Sequence, residues 1–209
     1  MSPLSLGWHA VGLPLFSAGV AVLEFDAVLV GQWLLSRPLV VGPLVGWAAG
    51  DLEAGIGLGA LVELFCLEEL PVGSVVPPNG AVASGCAVLL VAGPARIAPA
   101  LALPAALALG MAHGWLESRV RSWRAGLTAS AAADLAASGR VAWGRLWARS
   151  LGAHWAVTAA FVYVSVALAG AGLGWLWGAL PGVGRAGLER AWGMAPFLAL
   201  GSLAQRLWR

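Results

Sequence analysis

Long stretches without any charged residue constrain this chain more than any other feature. Residues 70–95, 97–116 and 150–184 contain no Asp, Glu, Lys or Arg, and neither do residues 1–23 and 191–205. A helix needs roughly 20 apolar residues to cross the hydrocarbon core of a bilayer. All of these stretches except 191–205 reach that length. The pattern therefore predicts an all-α integral membrane protein with several spans.

The overall composition agrees with this prediction and excludes several classes of protein. The chain has 209 residues, of which 60% are hydrophobic and 11% are charged, with a mean hydropathy of +0.84. A soluble domain has about 25% charged residues. We therefore exclude a soluble globular enzyme, a disordered chain and a nucleic-acid-binding protein. The His and Cys residues show no metal-ligand or catalytic spacing, so we expect no metal, no cofactor and no catalytic residues.

The charges predict an orientation. Residues 1–116 hold two Arg against seven acidic residues, 117–149 hold six Arg against two, and 185–209 hold four Arg against one. The positive-inside rule places the 117–149 segment and the C-terminus on the cytoplasmic side of the inner membrane. Two cytoplasmic flanks require an even number of crossings between them, so we expect 150–184 to form a hairpin that bends at the Gly-rich 170–174.

These observations divide the chain into three regions: a membrane core (1–116), an amphipathic arm (117–149) and C-terminal membrane segments (150–209). In the arm, apolar residues recur at helical spacing while charged residues occupy another face, as shown by Leu116, Val120, Trp123 and Leu127 against Glu117, Arg121 and Arg124. Such a segment suits the membrane surface, with Arg near the headgroups and Trp in the interface. A cytoplasmic connector helix is the alternative explanation.

The region 37–80 is apolar but densely interrupted. Prolines stand at positions 38, 43, 71, 77 and 78, and Gly42, Gly46 and Gly50 recur at every fourth residue. Short hydrophobic segments broken by Pro and Gly indicate re-entrant or discontinuous helices around a transport site. Small residues at this spacing allow helix backbones to approach closely within a membrane.

Glu63 lies within an apolar run of this broken region. A carboxylate at membrane depth costs at least ~2.5 kcal/mol on insertion scales, so it should face a cavity or a partner. Because a carboxylate accepts hydrogen bonds from neighbouring hydroxyl groups, Glu63 is a candidate ligand for the hydroxyl groups of a substrate. The alternatives are a structural pairing, for example with Arg37, or a position at the membrane interface.

Asn79 follows a double proline and precedes an apolar helix. An Asn at this position can cap the helix that follows it. Its uncharged amide could equally present a donor and an acceptor to a sugar. The sequence leaves both explanations open.

An ordered series of motifs in residues 31–86 resembles the IIC subunit of mannose/sorbose-type phosphotransferase systems. The motifs are SRPLV at 36–40, GPLVG at 42–46, GD at 50–51, GIG at 55–57, VE at 62–63 and GSVVPPNGAVAS at 73–84. A weaker similarity continues beyond them, for example AAADLAA at 131–137. The resemblance adds weight to an all-α multipass bundle with re-entrant helices and a cytoplasmic amphipathic arm.

The resemblance also implies a function and a set of partners. A IIC subunit is a permease that pairs with a second membrane subunit, IID, to move a hexose-type sugar across the bilayer. A separate IIB protein phosphorylates the sugar and is recharged through IIA, so the permease carries no catalytic residues. The resemblance implies sugar-binding roles for Gln32, Glu63 and Asn79, and a supporting role at the helix breaks for Arg37, Asp51, Gly73 and Pro78.

Two departures from the family pattern bear on this expectation. The family usually has Asp at the position of Asn79, and its members typically continue with further hydrophobic segments where this sequence ends at Arg209. The alternatives are a shortened regulatory or structural paralogue that does not transport, or a generic secondary transporter. The sequence does not name the sugar.

Overall fold

A computed structural model describes residues 6–27, 29–67 and 77–208. These ranges contain seven α-helices and no β strand. The helices are α1 (Leu13–Glu24), α2 (Pro38–Ala49), α3 (Leu52–Cys66), α4 (Gly80–Ala92), α5 (Pro99–Ser138), α6 (Trp143–Ala179) and α7 (Gly182–Leu207). A π-helical turn, Trp8–Gly12, precedes α1, and a 3₁₀ turn, Phe25–Ala27, follows it.

Three helical segments within the described residues are long and apolar enough to cross a membrane. They are Trp8–Ala27, which includes α1, together with α5 and α6. The prediction of an all-α integral membrane protein with several spans is therefore confirmed.

The broken region folds into two short helices packed side by side. With 12 residues in α2 and 15 in α3, their lengths are about 18 and 22 Å at the helical rise of about 1.5 Å per residue. Both are shorter than the ~30 Å hydrocarbon core, so neither crosses it as a straight helix. The chain reverses at Gly50, which has a left-handed φ of 80°. The pair is a re-entrant hairpin, which agrees with the re-entrant or discontinuous helices that the Pro and Gly pattern predicts.

Glycines bring the two helices of this hairpin into backbone contact. A Cβ atom added to Gly42 would lie 2.5 Å from the carbonyl oxygen of Gly55, and one added to Gly46 would lie 2.7 Å from Cα of Gly55. A Cβ on Gly59 would lie 2.6 Å from the carbonyl oxygen of Pro38. Alanine at any of these positions would collide with backbone atoms, which cannot move aside as a side chain can.

The helix α4 lies in the centre of the bundle. All of its residues from 81 to 90 are buried, and it packs against α2, α3, α5 and α6. A helix that is apolar on every side is stable only when other helices surround it. This central position places the N-terminus of α4, with Asn79, among the ends of several other helices.

The adjoining ends of α5 and α6 form the arm. With 40 and 37 residues, these helices are about 60 and 55 Å long at the helical rise, well beyond the thickness of the hydrocarbon core. The boundaries drawn from sequence at 116/117 and 149/150 fall inside the two helices. Trp123, Trp143 and Trp147 are exposed on the arm, and Gly139 ends α5 with a φ of 67°.

The prediction of a hairpin within 150–184 is wrong. α6 continues without interruption through the Gly-rich 170–174 and ends at Ala179. Glycine is common inside membrane-spanning helices, where neighbouring residues keep the backbone hydrogen bonds in place. The helix stops at Ala179 because the next residue, Leu180, is extended (φ −67°, ψ 134°), as the residue before a proline usually is, and Pro181 follows it. Beyond that break, α7 packs against α3 and α5.

Candidate functional site

A polar cavity of about 430 Å³ lies where several helix ends converge. Its walls come from the end of α1, the loop 29–37, the N-termini of α2 and α4, the C-terminal part of α3 and the middle of α5. Charged and amide side chains line it: Glu24, Asp26, Gln32, Arg37, Glu63, Asn79, Glu117 and Arg121.

The structure brings the three residues predicted to bind sugar to this one cavity. Gln32, Glu63 and Asn79 all line it, together with Arg37 and Pro78. Their positions are separated by as many as 47 residues along the chain, and the packing of α2, α3 and α4 against one another brings them together.

Of the other two supporting residues, Asp51 does not line the cavity. Asp51 stands at the opposite end of the hairpin, where its Oδ1 accepts a hydrogen bond from the backbone N–H of Ala54 at 3.1 Å and caps α3. Its Oδ2 is 4.0 Å from Nη1 of Arg96. Gly73 lies outside the described residues.

Glu63 is buried and makes two contacts within the protein. Its Oε1 accepts a hydrogen bond from Nη1 of Arg37 at 3.1 Å, and its Oε2 accepts one from the backbone N–H of Leu39 at 3.3 Å. The structural pairing with Arg37 is therefore present. A carboxylate offers about four lone-pair sites, so two remain for hydroxyl donors in the cavity.

Asn79 caps α4, as one of its two sequence-based explanations predicts. Its Oδ1 accepts a hydrogen bond from the backbone N–H of Val82 at 3.0 Å, and its Nδ2 donates to Oε1 of Glu24 at 3.0 Å. A carboxamide has two N–H donors and two acceptor lone pairs. One donor and one lone pair therefore remain, and a sugar hydroxyl can use both because it accepts as well as donates.

Asp26 organises the loop that carries Gln32. Its Oδ1 accepts a hydrogen bond from the backbone N–H of Trp33 at 2.6 Å, and its Oδ2 accepts one from that of Leu35 at 2.6 Å. Gln32 and Leu34 have left-handed φ values of 59° and 68°, which are uncommon for residues other than Gly. Such a backbone persists where surrounding contacts determine it. Asp26 supplies those contacts and thereby holds the exposed Gln32 at the cavity.

Sequence reasoning missed the most deeply buried polar group of the site. Glu24 is 3% exposed and lines the cavity, and its Oε2 lies 2.5 Å from Nε2 of His154, which is 2% exposed. The two residues are 130 positions apart, so no local motif connects them. The available signal was that each lies in an apolar run, where an unpaired polar group is costly.

A second ion pair borders the cavity on α5. Nη2 of Arg121 lies 2.7 Å from Oε1 of Glu117, one helical turn away. Sequence reasoning assigned both residues to the charged face of the arm, whereas the structure places them on the cavity wall.

The fold and the cavity define a multipass α-helical membrane protein built around a re-entrant hairpin. The family profile described as the PTS system sorbose-specific IIC component (EII-Sor) matches residues 10–209. The chain therefore belongs to this family, which comprises IIC permease components of phosphotransferase systems. The family predicted from the motifs of residues 31–86 is confirmed.

Individual relatives carry names of the same kind. The chain is 33% identical over 112 residues to the putative N-acetylgalactosamine permease IIC component 2 of Escherichia coli K12, an alignment that covers 52% of this chain and 80% of that protein. It is 40% identical over 97 residues to the sorbose-specific EIIC component of Klebsiella pneumoniae, covering 43% of this chain and 36% of that protein. With the mannose-specific EIIC component of E. coli K12 it shares 32% over 90 residues, covering 43% of this chain and only 34% of that protein.

Two solved structures share the fold. One membrane-protein structure superposes with a TM-score of 0.75 at 24% identity, covering 94% of this chain and 80% of that one. The mannose transporter ManYZ, solved by cryo-electron microscopy in complex with microcin E492, superposes with a TM-score of 0.61 at 22% identity, covering 93% and 79%. The predicted membrane fold agrees with both.

Proposed function

We propose that this chain is the sugar-translocating IIC subunit of a mannose/sorbose-type, phosphoenolpyruvate-dependent phosphotransferase system. It pairs with a IID membrane subunit in the inner membrane. A separate IIB protein, recharged by IIA, phosphorylates the sugar. The family membership and the names of the relatives support this proposal.

The observation that carries the proposal is the convergence of Gln32, Glu63 and Asn79 on one cavity. Each of these side chains retains hydrogen-bonding capacity after its contacts within the protein are counted. Sugar hydroxyls need both donors and acceptors, and the three side chains supply both. The volume of about 430 Å³ falls within the range of about 300–1,000 Å³ that is usual for small-molecule sites.

The charge of the cavity favours an unphosphorylated sugar. Four carboxylates line it, from Glu24, Asp26, Glu63 and Glu117, against the two guanidinium groups of Arg37 and Arg121. Carboxylates accept hydrogen bonds from hydroxyl groups but repel a phosphate, so a sugar phosphate should bind there more weakly than the free sugar. This difference suits a subunit that takes up a neutral hexose and releases it once it is phosphorylated.

Substitution of Gln32 provides the sharpest test of the cavity. Gln32→Gly removes the side-chain amide, and glycine suits the φ of 59°, so the substitution adds no backbone strain. Binding of a panel of hexoses is measured with the protein and its IID partner in lipid vesicles. We expect at least tenfold weaker binding, since sites built to hydrogen-bond a ligand discriminate strongly.

The control is Gln205→Ala, which removes an exposed glutamine near the end of α7 that does not line the cavity. Unchanged binding by the Gln32→Gly protein would remove this residue from the site. Failure of the wild-type protein to bind any hexose would overturn the proposed function. Uptake by cells that continues without phosphoenolpyruvate would instead indicate a secondary transporter.

A further inference from the structure

A directional chain of hydrogen bonds leads from α6 to the edge of the cavity. Nε2 of His154 contacts Oε2 of Glu24 at 2.5 Å, and Oε1 of Glu24 accepts from Nδ2 of Asn79 at 3.0 Å. Oδ1 of Asn79 in turn accepts from the backbone N–H of Val82 at 3.0 Å. These hydrogen bonds therefore join α1, α4 and α6.

The donor and acceptor roles in each of these hydrogen bonds restrict the roles in the next one. With Glu24 ionised, its carboxylate only accepts hydrogen bonds, so it faces an N–H group of each of its two partners, and the proton of the His154 ring that donates to it is the one on Nε2. The backbone N–H of Val82 only donates, so it faces the amide oxygen of Asn79. The carboxamide of Asn79 can therefore take one of its two flipped orientations and not the other.

His154 contacts a residue of the cavity wall without lining the cavity itself. It is absent from the cavity lining, and its ring packs 5.8 Å, centroid to centroid, from that of Phe25, next to Glu24 in sequence. Glu24 is 3% exposed, and a buried carboxylate without a donor is costly. Loss of His154 would leave Glu24 with Asn79 as its one donor among the described contacts, and Glu24 would then be free to change its conformation.

We propose that Glu24 and His154 form a positioning pair that fixes the orientation of the Asn79 carboxamide, and with it the donor and acceptor that Asn79 presents to the sugar. This inference rests on the proposed function for its consequence, the binding of sugar. Its structural part, the fixed carboxamide, stands separately and has its own measurement.

Sugar binding to the protein with its IID partner in vesicles tests the consequence. His154→Leu removes the donor to Glu24, and we expect at least tenfold weaker hexose binding. His154→Gln places an amide N–H near the position of Nε2, so it should restore binding to within about threefold of wild type. His113→Leu is the matched control, because His113 is 1% exposed but contacts Thr158 rather than Glu24, and binding should stay within about twofold.

Nuclear magnetic resonance tests the structural part without any sugar. Asn79 is the only asparagine in the sequence, so after labelling with side-chain [¹⁵N]asparagine every carboxamide signal comes from this one residue. We expect the chemical shifts of its two Nδ2 protons to be well separated in the wild-type protein, because one of these protons is hydrogen-bonded to Glu24. His154→Leu and Glu24→Gln should shift this signal, whereas His113→Leu should leave it in place.

The outcomes separate the two proposals. An unchanged carboxamide signal in the His154→Leu protein would overturn the positioning pair. Equal loss of sugar binding in His154→Leu and His154→Gln would show a packing role and would overturn it as well. If the wild-type protein binds no hexose, the proposed function fails while the carboxamide measurement still decides the positioning pair.

Discussion

The carboxylate of Glu63, on α3, accepts a hydrogen bond at 3.3 Å from the backbone N–H of Leu39, in the first turn of α2. The N-cap residue of α2, Arg37, makes no side-chain capping bond of its own. Glu63 therefore performs the capping role from the other helix of the hairpin. The same side chain joins the two helices and faces the cavity.

Substitution of Glu63 should destabilise the protein more than substitution of its ionic partner. Glu63→Ala leaves the N-terminus of α2 uncapped, and we expect the free energy of unfolding to fall by about 1–3 kcal/mol. In Arg37→Ala the cap remains, and the lost ion pair is partly solvated because the Arg37 side chain is 48% exposed. That loss should be about 0–1 kcal/mol. Thermal unfolding in detergent measures both, and a larger effect of Arg37→Ala would contradict this account of the hairpin.

The glycine contact of the hairpin predicts a sharp difference in stability between alanine substitutions at two of its glycines. Gly42→Ala places a Cβ 2.5 Å from the carbonyl oxygen of Gly55 and should cost about 1–3 kcal/mol of stability through overpacking. Gly57→Ala, in the same hairpin, meets nothing within 4 Å and should be neutral or stabilise by up to about 1 kcal/mol. Folded yield and melting temperature in detergent compare the two. Equal effects would mean that the helices are further apart than described.

The loop that carries Gln32 should loosen when Asp26 loses its charge. Asp26→Asn replaces an acceptor of several backbone hydrogen bonds with a group that accepts through one atom only. Hydrogen exchange at the amides of Trp33 and Leu35 should become at least about tenfold faster, since hydrogen bonds to charged groups contribute about 1.5–3 kcal/mol. Asp134→Asn, on the exposed surface of α5, is the control. Unchanged exchange after Asp26→Asn would show that other contacts hold the loop.

Cysteine labelling tests the predicted orientation together with the single crossing of α6. Ala137→Cys lies on the Arg-rich arm, so a membrane-impermeant maleimide should label it in inverted vesicles and not in intact cells. Gly182→Cys lies at the opposite end of α6 and should show the reverse pattern. The unsubstituted chain, with its two cysteines, gives the background. Labelling of both positions from the same side would contradict a single crossing.

Features with a short-range cause could be predicted from the sequence. Uncharged runs of sufficient length predict spans because the bilayer core has a fixed thickness. The interrupted region predicts re-entrant or discontinuous helices because Pro and Gly end helices locally. Glu63 was a candidate site residue because an ionised group in an apolar run requires a partner wherever the chain places it.

The Gly-rich 170–174 shows where such local reasoning fails. Glycine lowers helix propensity by about 1 kcal/mol relative to Ala, a preference that tertiary packing readily overrides. Gly170 is buried in α6, and the helix runs straight past it. A Gly-rich run such as 170–174 is typical of a turn as well as of a membrane-spanning helix. Only the packing around α6 decided between these two structures.

The sequence by itself determined that this chain is a helical membrane protein, that its helices are interrupted within 37–80 and which family it belongs to, because these depend on hydropathy, on Pro and Gly, and on motifs that are contiguous. The tertiary structure alone decided that Glu24 pairs with His154 across 130 positions and that Glu117 and Arg121 face the cavity. Contacts of this kind arise when helices distant in sequence pack side by side. The packing depends on the fit of whole helix surfaces, and no local pattern encodes it.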